Sequence, residues 1–384
     1  MKKAFKRGYV VNTAVLAAVY VLCVLLTSLV GDEGSFRLTV VPSIWQCCYL
    51  IILAASLNLV LGFMGQLSLG HCGFMAIGAY TAALMSLAFQ RAGVYDEKSG
   101  IVFILIIFLC IICAGVLAAV FGVLVGIPAL RLKGDYLAII TLGFGLIIVN
   151  VINNLPFAGQ NGLAEGVASS SLYQNGLGFG TTAKVTYLWV ALAAVIICVA
   201  LMFMFIRSKY GRAVRAIRDD EIAASAAGIN TGYYKVLTFA FSAFFAGIAG
   251  ALYACSNSTL STVSFSFTNG SILNSTFVVV MVVLGGMGSL TGSIVSAVIM
   301  FLLNYQITNG AWVSALPGFI QSIFAYPMLV YAVVLVIIIM FRPKGIFGTY
   351  EFSLLRTPGE LVRWIKGRGS KKKAGSRGKE AAVQ

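Results

Sequence analysis

The side chains best suited to chemistry in this sequence lie in one glycine-rich stretch, GQLSLGHCGFMAIGAY, at residues 65–80. It contains His71, the only histidine of the 384-residue chain, together with Gln66 and Ser68. Histidine binds a metal or transfers a proton when a carboxylate, a cysteine pair or further histidines accompany it. Neither a carboxylate nor a cysteine pair surrounds His71 here. We therefore predict a structural hydrogen bond for His71, with gating or substrate contact as the alternative.

Other reactive side chains also lack the grouping that catalysis or metal binding requires. The eight cysteines lie within or at the edge of apolar segments, and the CxxC of Cys110 and Cys113 has no second pair or nearby histidine. All twelve acidic residues lie outside the apolar segments, and the chain contains no GxxxxGK[ST] phosphate-binding loop. We expect no catalytic residue, no metal and no cofactor, so any transport work must draw its energy from a partner.

The composition is that of a membrane protein, with 60% hydrophobic and only 10% charged residues. A helix that crosses a bilayer needs about 20 apolar residues. The sequence predicts an all-α polytopic membrane protein with about ten transmembrane helices. The candidate segments are 10–30, 44–63, 70–90, 101–127, 136–152, 186–206, 236–255, 272–288, 291–307 and 318–341.

The basic residues indicate how these helices are oriented, since lysine and arginine concentrate in cytoplasmic loops. With ten alternating spans and a cytoplasmic N-terminus, all but four of the 27 basic residues fall on the cytoplasmic side. The four exceptions are Arg37, Arg91, Lys98 and Lys184. We predict that both termini are cytoplasmic. Segments 272–288 and 291–307 could instead form a re-entrant pair, which leaves eight spans with the same orientation.

Small residues line one face of two predicted helices, which favours close contact between transmembrane backbones. The first set follows the opening stretch and the second lies in segment 236–255. These residues are Cys72, Gly73, Ala76, Ala79 and Ala83, and then Ala243, Gly247, Ala251 and Ala254. We therefore interpret residues 65–80 as an element for close packing and bending, not as a catalytic loop.

The longest charged segment between spans, residues 207–234, contains the pattern of a short helix. Asp219, Asp220 and Glu221 place negative charge at a helix start, good helix formers follow, and Gly228 can end the helix in a left-handed conformation. The small apolar residues of this helix would allow another protein to pack closely. The alternative is an ordinary solvated cytoplasmic loop.

This segment resembles a known pattern. Glu221, Ala223, Ala224 and Gly228 are similar to the E-A-A-x-x-x-G coupling loop of bacterial ABC importer permeases. The string GRAVRAIRDDEIAASAAGIN resembles the form of that loop in LivM-type branched-chain amino acid permeases. One departure is Ile222, which separates Glu221 from the alanines. The resemblance implies that the loop docks on an ATPase subunit. The docking residues would be Arg218, Asp219, Asp220, Glu221, Ala223, Ala224 and Gly228.

Further segments extend the resemblance from about residue 57 to residue 347. GQLSLGH resembles a segment of the LivM and LivH permeases, as do LRLKGDYLAIITLGFG at 130–145 and VVLGGMGSLTG at 282–292. The external loop 153–185 matches a family T-G-G-x-x-G-L segment except at Phe157 and Ala158. VLGFMGQLSLG and VLGGMGSLTG also resemble each other, through either a shared ancestral hairpin or a generic glycine turn.

The resemblance implies a permease subunit of an ABC importer for branched-chain amino acids in the bacterial cytoplasmic membrane. Its implied partners are a LivH-like second permease, two ATPase subunits and an external substrate-binding protein. Because the spans carry no charges, polar side chains would have to meet a zwitterionic substrate. The candidates are Asn58, Gln66, Ser68, His71, Asn150, Ser242 and Asn304. The alternatives are a related permease for urea, short amides or other amino acids, and, from other classes, a passive channel or a membrane enzyme.

The predicted domain organisation is simple. Residues 1–341 form the transmembrane domain, with the coupling loop 207–234 and the external loop 153–185, and 342–384 form a basic cytoplasmic tail. The first segment is interpreted as an uncleaved helix, not a signal peptide. The tail contains a capping-box pattern at 357–360 and a lysine-rich end, which predict a helix on the membrane surface and attraction to anionic lipid. We do not expect nucleic-acid binding, since few aromatic residues interleave the basic ones.

Overall fold

The computed structural model describes residues 34–91, 100–129, 135–154, 188–257, 275–309 and 327–341, together with 260, 265, 345, 346 and 348. The chain divides into two units, and all of these residues belong to the unit from Val30 to Tyr350. The described part is helical. It comprises α1 (Gly34–Asn58), a π-helical turn (Leu59–Met64), α2 (His71–Arg91), α3 (Gly100–Ala129), α4 (Asp135–Asn154), α5 (Leu188–Arg207), α6 (Lys209–Asp219), α7 (Glu221–Ala226), α8 (Thr231–Ser256), α9 (Ser275–Gly285), α10 (Leu290–Asn309) and α11 (Pro327–Phe341).

Six of the described helices are long and apolar enough to cross a membrane. They cover Pro42–Met64, His71–Phe89, Ile104–Ala129, Leu188–Arg207, Thr231–Ser256 and Leu290–Ile307. These six confirm six of the predicted segments as helices of spanning length. The chain is therefore a polytopic helical membrane protein.

The other four predicted segments are not among these six helices of spanning length. Three of them coincide with shorter apolar helices at Tyr136–Ile152, Ser275–Gly285 and Leu329–Ile338. The 11 described residues of α9 rise only ~16 Å, about half of a bilayer core. The predicted first span at 10–30 lies outside the described residues, as do most of the external loop and of the basic tail. The total of ten helices stays a prediction.

Helix α8 lies at the centre of the described bundle, with α1, α2 and α3 packed around it. Glycines make these contacts close. A Cβ atom built on Gly78 of α2 would lie 2.2 Å from the carbonyl oxygen of Gly247, and one on Gly250 would lie 2.0 Å from that of Met75. On the side of α3, a Cβ atom on Gly247 would lie 2.5 Å from the Ala118 side chain. The predicted close-packing role is thus confirmed for Gly247 of the α8 face, whereas Gly78 and Gly250 lie outside the two predicted faces.

Helix α3 differs from α8 because one of its sides faces away from the described bundle. Large apolar side chains are exposed along it, including Leu105, Ile112 and Leu124. An apolar groove with a volume of about 600 Å³ runs between α2, α3 and α4, and Tyr80, Phe121 and Phe144 contribute to its walls. Apolar outer surfaces of this kind are what a bilayer-facing helix requires.

Two glycine-containing breaks interrupt the helices. The first break, residues 65–70, separates the π-helical turn from α2, and the second break, residues 286–289, separates α9 from α10. Gly65 has φ +74° and Gly288 has φ +91°, so both adopt the left-handed conformation that side chains with a Cβ atom disfavour. These two residues occupy equivalent positions in the similar strings VLGFMG and VLGGMG.

Candidate functional site

The predicted coupling loop contains two helices. Ser208 caps α6, and its hydroxyl accepts hydrogen bonds from the backbone N–H groups of Tyr210 and Gly211. Gly211, Val214 and Ile217 are buried at a spacing of three residues, while Arg212 and Arg215 between them are exposed. α6 is therefore an amphipathic helix that lies against the end of the transmembrane bundle.

The second helix, α7, forms where the sequence predicts it. The Asp220 carboxylate accepts hydrogen bonds from Ile222 N at 2.8 Å and from Ala223 N at 2.9 Å, which caps the helix start. Gly228 follows the helix with φ +85°, and Ile229 N donates to Ala224 O at 3.1 Å. The predicted acidic start and glycine end are confirmed as the two caps of α7.

An ion pair attaches α7 to α8. Lys235 Nζ lies 2.6 Å from Glu221 Oε1, and the lysine side chain is only 7% exposed, whereas that of the glutamate is 40% exposed. Ala224 is also buried, but Ala223 is exposed and Ile222 is 79% exposed. Ile222 therefore projects from α7 into an accessible position.

The first break lies in close contact with α4. The hydroxyl of Thr141 accepts a hydrogen bond from Leu69 N at 3.1 Å. A Cβ atom on Gly70 would lie 1.9 Å from the carbonyl oxygen of Thr141, and one on Gly73 would lie 2.8 Å from Gly145 Cα. The glycines of the opening stretch therefore let the chain enter α2 directly against α4.

The second break is held by its own helices and by the segment after α11. Gly285 and Gly292 face each other, since a Cβ atom on either would lie within 2.4 Å of the other's carbonyl oxygen. Ile346 N donates a hydrogen bond to Leu284 O at 2.9 Å. A Cβ atom on Gly345 would lie 2.6 Å from Gly286 Cα. The start of the predicted tail thus packs on this break.

Asn58 joins the end of α1 to the second break and to α10. Its Nδ2 donates to Ser289 O at 2.9 Å and to Ser293 Oγ at 2.7 Å, and its Oδ1 accepts from Gly288 N at 3.0 Å. The side chain is completely buried. Gly62 completes the contact, because a Cβ atom there would lie 2.3 Å from Gly288 N. The π-helical turn and the second break are therefore packed backbone to backbone.

Two arginines of α6 reach the same region. The guanidinium of Arg215 lies over the Phe63 ring at 5.6 Å and donates to Ile206 O at 3.0 Å. The side chain of Arg218 extends across both breaks. A Cβ atom on Gly65 would lie 2.9 Å from Arg218 Cγ, and one on Gly288 would lie 2.9 Å from Arg218 Nη1. The coupling loop and the breaks therefore form one continuous structure.

His71, at the start of α2, belongs to a buried hydrogen-bond chain. Its Nε2 lies 2.8 Å from Ser56 Oγ, and Ser242 Oγ donates to Ser56 O at 2.6 Å. His71, Ser56 and Ser242 are each at most 2% exposed. This chain links α1, α2 and α8, which confirms the predicted structural hydrogen bond of His71. Ser242, which the sequence predicts beside the substrate path, likewise makes a hydrogen bond within the bundle.

The other predicted pathway residues divide into two groups. Asn150 is exposed on α4 and its Nδ2 donates to Leu146 O within the same helix, while Asn304 accepts a hydrogen bond from the Tyr331 hydroxyl. Neither of them lies in the region of the breaks. In contrast, Gln66 Oε1 and Ser68 Oγ belong to the first break and are buried without a hydrogen-bond partner among the described residues.

The described residues contain no group of three or more His, Cys, Asp or Glu side chains that could hold a metal ion. Sequence reasoning missed three features of the region: helix α6, Lys235 and Thr141. The Ser208 cap and the three-residue apolar spacing after it were a usable signal for α6. No local pattern assigns partners to Lys235 or Thr141, because each contact depends on a residue elsewhere in the fold.

Comparisons with known proteins place this arrangement in a family. The family model described as branched-chain amino acid transport system / permease component matches residues 40–341. The high-affinity branched-chain amino acid transport system permease protein LivM of Escherichia coli is 34% identical over 319 residues, which cover 77% of this chain and 67% of that protein.

More distant relatives carry related names. The probable branched-chain amino acid transport permease protein LivM of Methanocaldococcus jannaschii is 24% identical, covering 79% of this chain and 91% of the relative. LivH of Escherichia coli, also a high-affinity branched-chain amino acid transport system permease protein, is 26% identical over 78% of this chain and 91% of the relative. No solved structure is significantly similar to the chain. The match over most of its length shows that this multi-pass helical membrane protein belongs to the family of branched-chain amino acid transport permeases.

Proposed function

We propose that this chain is the LivM-type permease subunit of an ABC importer and that α7 is its contact with an ATPase subunit. The supporting observation is the way in which α7 is held in place. The helix is capped at both ends, attached to α8 by the pair of Glu221 and Lys235, and exposes Ile222. A short helix fixed in this way can move with a partner as one body. Ala223 and Gly228 are also exposed and border the same contact surface.

The family and the chain's own residues support a set of partners. We propose a LivH-like second permease, two ATPase subunits and an external substrate-binding protein, in a bacterial cytoplasmic membrane. The chain itself supplies no phosphate-binding loop, so it needs the ATPase subunits for energy. We also retain the ten-helix topology with both termini in the cytoplasm, because the basic residues favour it. The coupling loop 207–234 and the segment after residue 341 are then on one side of the membrane.

The substrates we propose are leucine, isoleucine and valine, as the names of the LivM and LivH relatives suggest. Among the predicted pathway residues that the structure describes, Gln66 and Ser68 have buried oxygens without a hydrogen-bond partner. A buried oxygen without a partner lacks the hydrogen bond that would compensate for its desolvation. A passing amino acid, whose ammonium and carboxylate groups both form hydrogen bonds, would supply one. We therefore place the substrate path beside the first break.

Uptake by proteoliposomes tests this function. The complex is reconstituted with ATP enclosed on the ATPase side and the binding protein outside, and labelled leucine, isoleucine, valine, urea and a nucleoside are compared. We expect ATP-dependent uptake of the three amino acids only. Uptake of urea instead would contradict the proposed substrate. Uptake that does not depend on ATP would contradict an importer and indicate a passive channel.

The substrate path is tested with two buried serines that lack partners. In Ser68→Ala the lost hydroxyl made no internal hydrogen bond among the described residues, so we expect unchanged stability. We expect the KM for leucine uptake to rise about five- to tenfold, as for a lost neutral hydrogen bond. Ser86→Ala is the matched control, because Ser86 Oγ is equally buried and unpartnered but lies outside the first break. Equal effects of the two substitutions would refute the assignment.

A further inference from the structure

We propose that Arg218 and Asn58 act together as a linkage that transmits movement of α7 to both glycine breaks. The inference rests on the proposed function and deepens it. The resemblance assigns Arg218 to docking on the ATPase, and sequence reasoning places Asn58 among the substrate contacts. The contacts of both side chains instead point to positioning roles inside the permease.

Arg218 is placed to transmit a movement of α7. It lies in the last turn of α6, two residues before the Asp220 cap of α7, so a displacement of α7 pulls directly on its backbone. Its side-chain stem covers Gly65 and its guanidinium lies against Gly288. A side chain at either glycine would collide with Arg218, so the two left-handed glycines create the space through which it passes.

Asn58 fastens the end of α1, from which the π-helical turn leads into the first break, to the second break. An asparagine side chain has two N–H donors and one carbonyl acceptor. In Asn58 both donors are used by Ser289 and Ser293, and the oxygen is used by Gly288 N. No donor is left for a substrate. Because the side chain is fully buried, breaking these bonds would leave several polar groups unpaired at a cost of free energy.

The segments that the linkage holds are those in which the helices bend most readily. The first break follows a π-helical turn, and such turns are frequent at functional sites in helices. Both breaks contain a glycine at positive φ, where the chain departs from helical geometry. A pull on Arg218 therefore acts where α1 passes into α2 and where α9 passes into α10. The orphaned oxygens of Gln66 and Ser68 lie in the first of these segments.

The test measures the number of ATP molecules hydrolysed per leucine transported in proteoliposomes. Arg218→Met keeps the stem over Gly65 but removes the guanidinium. Its control is Arg212→Met, which removes the same charge from α6 at a side chain that donates to Arg207 O at 3.4 Å. Ser293→Ala removes one acceptor of Asn58, and its control is Ser296→Ala, which removes an equally buried hydroxyl of α10 that bonds to Met281 O and Ser293 O.

We expect Arg218→Met to raise the ATP-to-leucine ratio at least about fivefold, the lower range of coupling between sites. Ser293→Ala should raise the ratio about twofold or more, and both controls should keep the ratio of the intact chain. The double variant Arg218→Met and Ser293→Ala should be no worse than Arg218→Met alone, because both act on one linkage. Asn58→Asp, which retains the acceptor but loses both donors, should match Arg218→Met.

Two results would overturn the linkage while leaving the proposed function intact. One is a normal ratio in Arg218→Met and Ser293→Ala. The other is a double variant whose effects multiply, which would indicate independent roles, such as ATPase docking by Arg218 alone. If Asn58→Asp fails to assemble with its partners, the comparison of Ser293→Ala with Ser296→Ala tests the role of Asn58. A lack of ATP-driven uptake by the intact chain would instead refute the proposed function.

Discussion

Glu221 and Lys235 show how a single ion pair decides the position of an element. Lysine is almost never fully buried unless it is paired, and Lys235 is 5% exposed. The carboxylate that compensates its charge comes from the first residue of α7. Glu221 therefore has an internal structural use, which differs from the direct ATPase contact implied by the resemblance. The exposed side chain beside it, Ile222, is the better candidate for that contact.

Removal of the carboxylate should destabilise the protein through the lysine. Glu221→Ala leaves the Lys235 ammonium buried without its partner, and we expect a loss of about 1 to 3 kcal/mol, below the range for fully buried pairs because Glu221 is partly exposed. The thermal midpoint of the detergent-solubilised complex measures this. Glu221→Ala combined with Lys235→Met should recover most of the loss. Asp219→Ala is the control, since Asp219 is exposed; an equal loss there would contradict the explanation.

The sequence identified the polar residues of the region but not their partners. Asn58 stands out as an amide in an apolar span, which suggests a substrate contact. Its actual partners, Ser289 and Ser293, are 231 and 235 residues away along the chain. Nothing in the local pattern around any of these positions encodes that contact. The prediction for His71 is more accurate, because the absence of possible ligands around it is itself visible in the sequence.

At the scale of elements, local sequence signals predict α7 but do not predict α6. The acidic start and Gly228 predict α7 because the capping interactions are made within a few residues. The stretch before it carries the basic residues that are typical of a cytoplasmic loop. Its helical character depends on the burial of Gly211, Val214 and Ile217 against the bundle, and basic residues occupy the exposed positions between them. The charge pattern therefore concealed the apolar periodicity.

The cap of α7 should be necessary for coupling. Asp220→Ala removes the acceptor for two backbone N–H groups of a six-residue helix, at a cost of about 1 kcal/mol. A helix of six residues is marginal alone and depends on its caps and on the ion pair with Lys235, so we expect loss of the first cap to unfold it in a substantial fraction of molecules. Co-purification of the ATPase subunits should fall several-fold. Asp220→Asn should retain most of it, because asparagine caps as well as aspartate; equal binding in all three proteins would exclude a role for the helix.

Contacts between helices should be most sensitive at the glycines of α2 and α8. In Gly78→Ala the new methyl group would lie 2.2 Å from the backbone oxygen and 2.5 Å from the Cα atom of Gly247, and backbone cannot move aside as a side chain can. We expect a loss of about 1 to 3 kcal/mol of stability. Gly143→Ala in α4 is the control, since nothing lies within 4 Å, and it should be neutral or stabilising by up to about 1 kcal/mol. Thermal midpoints of the two variants that do not differ would refute this packing.

At the scale of the whole molecule, the breaks, the coupling loop and the start of the tail form one layer at one end of the bundle. Arg218 contacts both breaks, and Ile346 and Gly345 contact the second of them. The hydropathy of the sequence predicted the spanning helices well, since the length of an apolar segment is a local property. It could not predict this layer, because the layer is assembled from segments that are far apart in the chain.

The measurement that tests the account most directly is leucine-stimulated ATPase activity of the purified complex in proteoliposomes with its binding protein. The intact chain is compared with Ile222→Leu and Ile222→Asp, which respectively keep and abolish the apolar character of the exposed side chain. We predict that ATPase subunits co-purify with the intact chain, that leucine stimulates hydrolysis in the intact and Ile222→Leu complexes, and that stimulation is lost in Ile222→Asp. The absence of any co-purifying ATPase, or stimulation that is equal in all three complexes, would contradict the account.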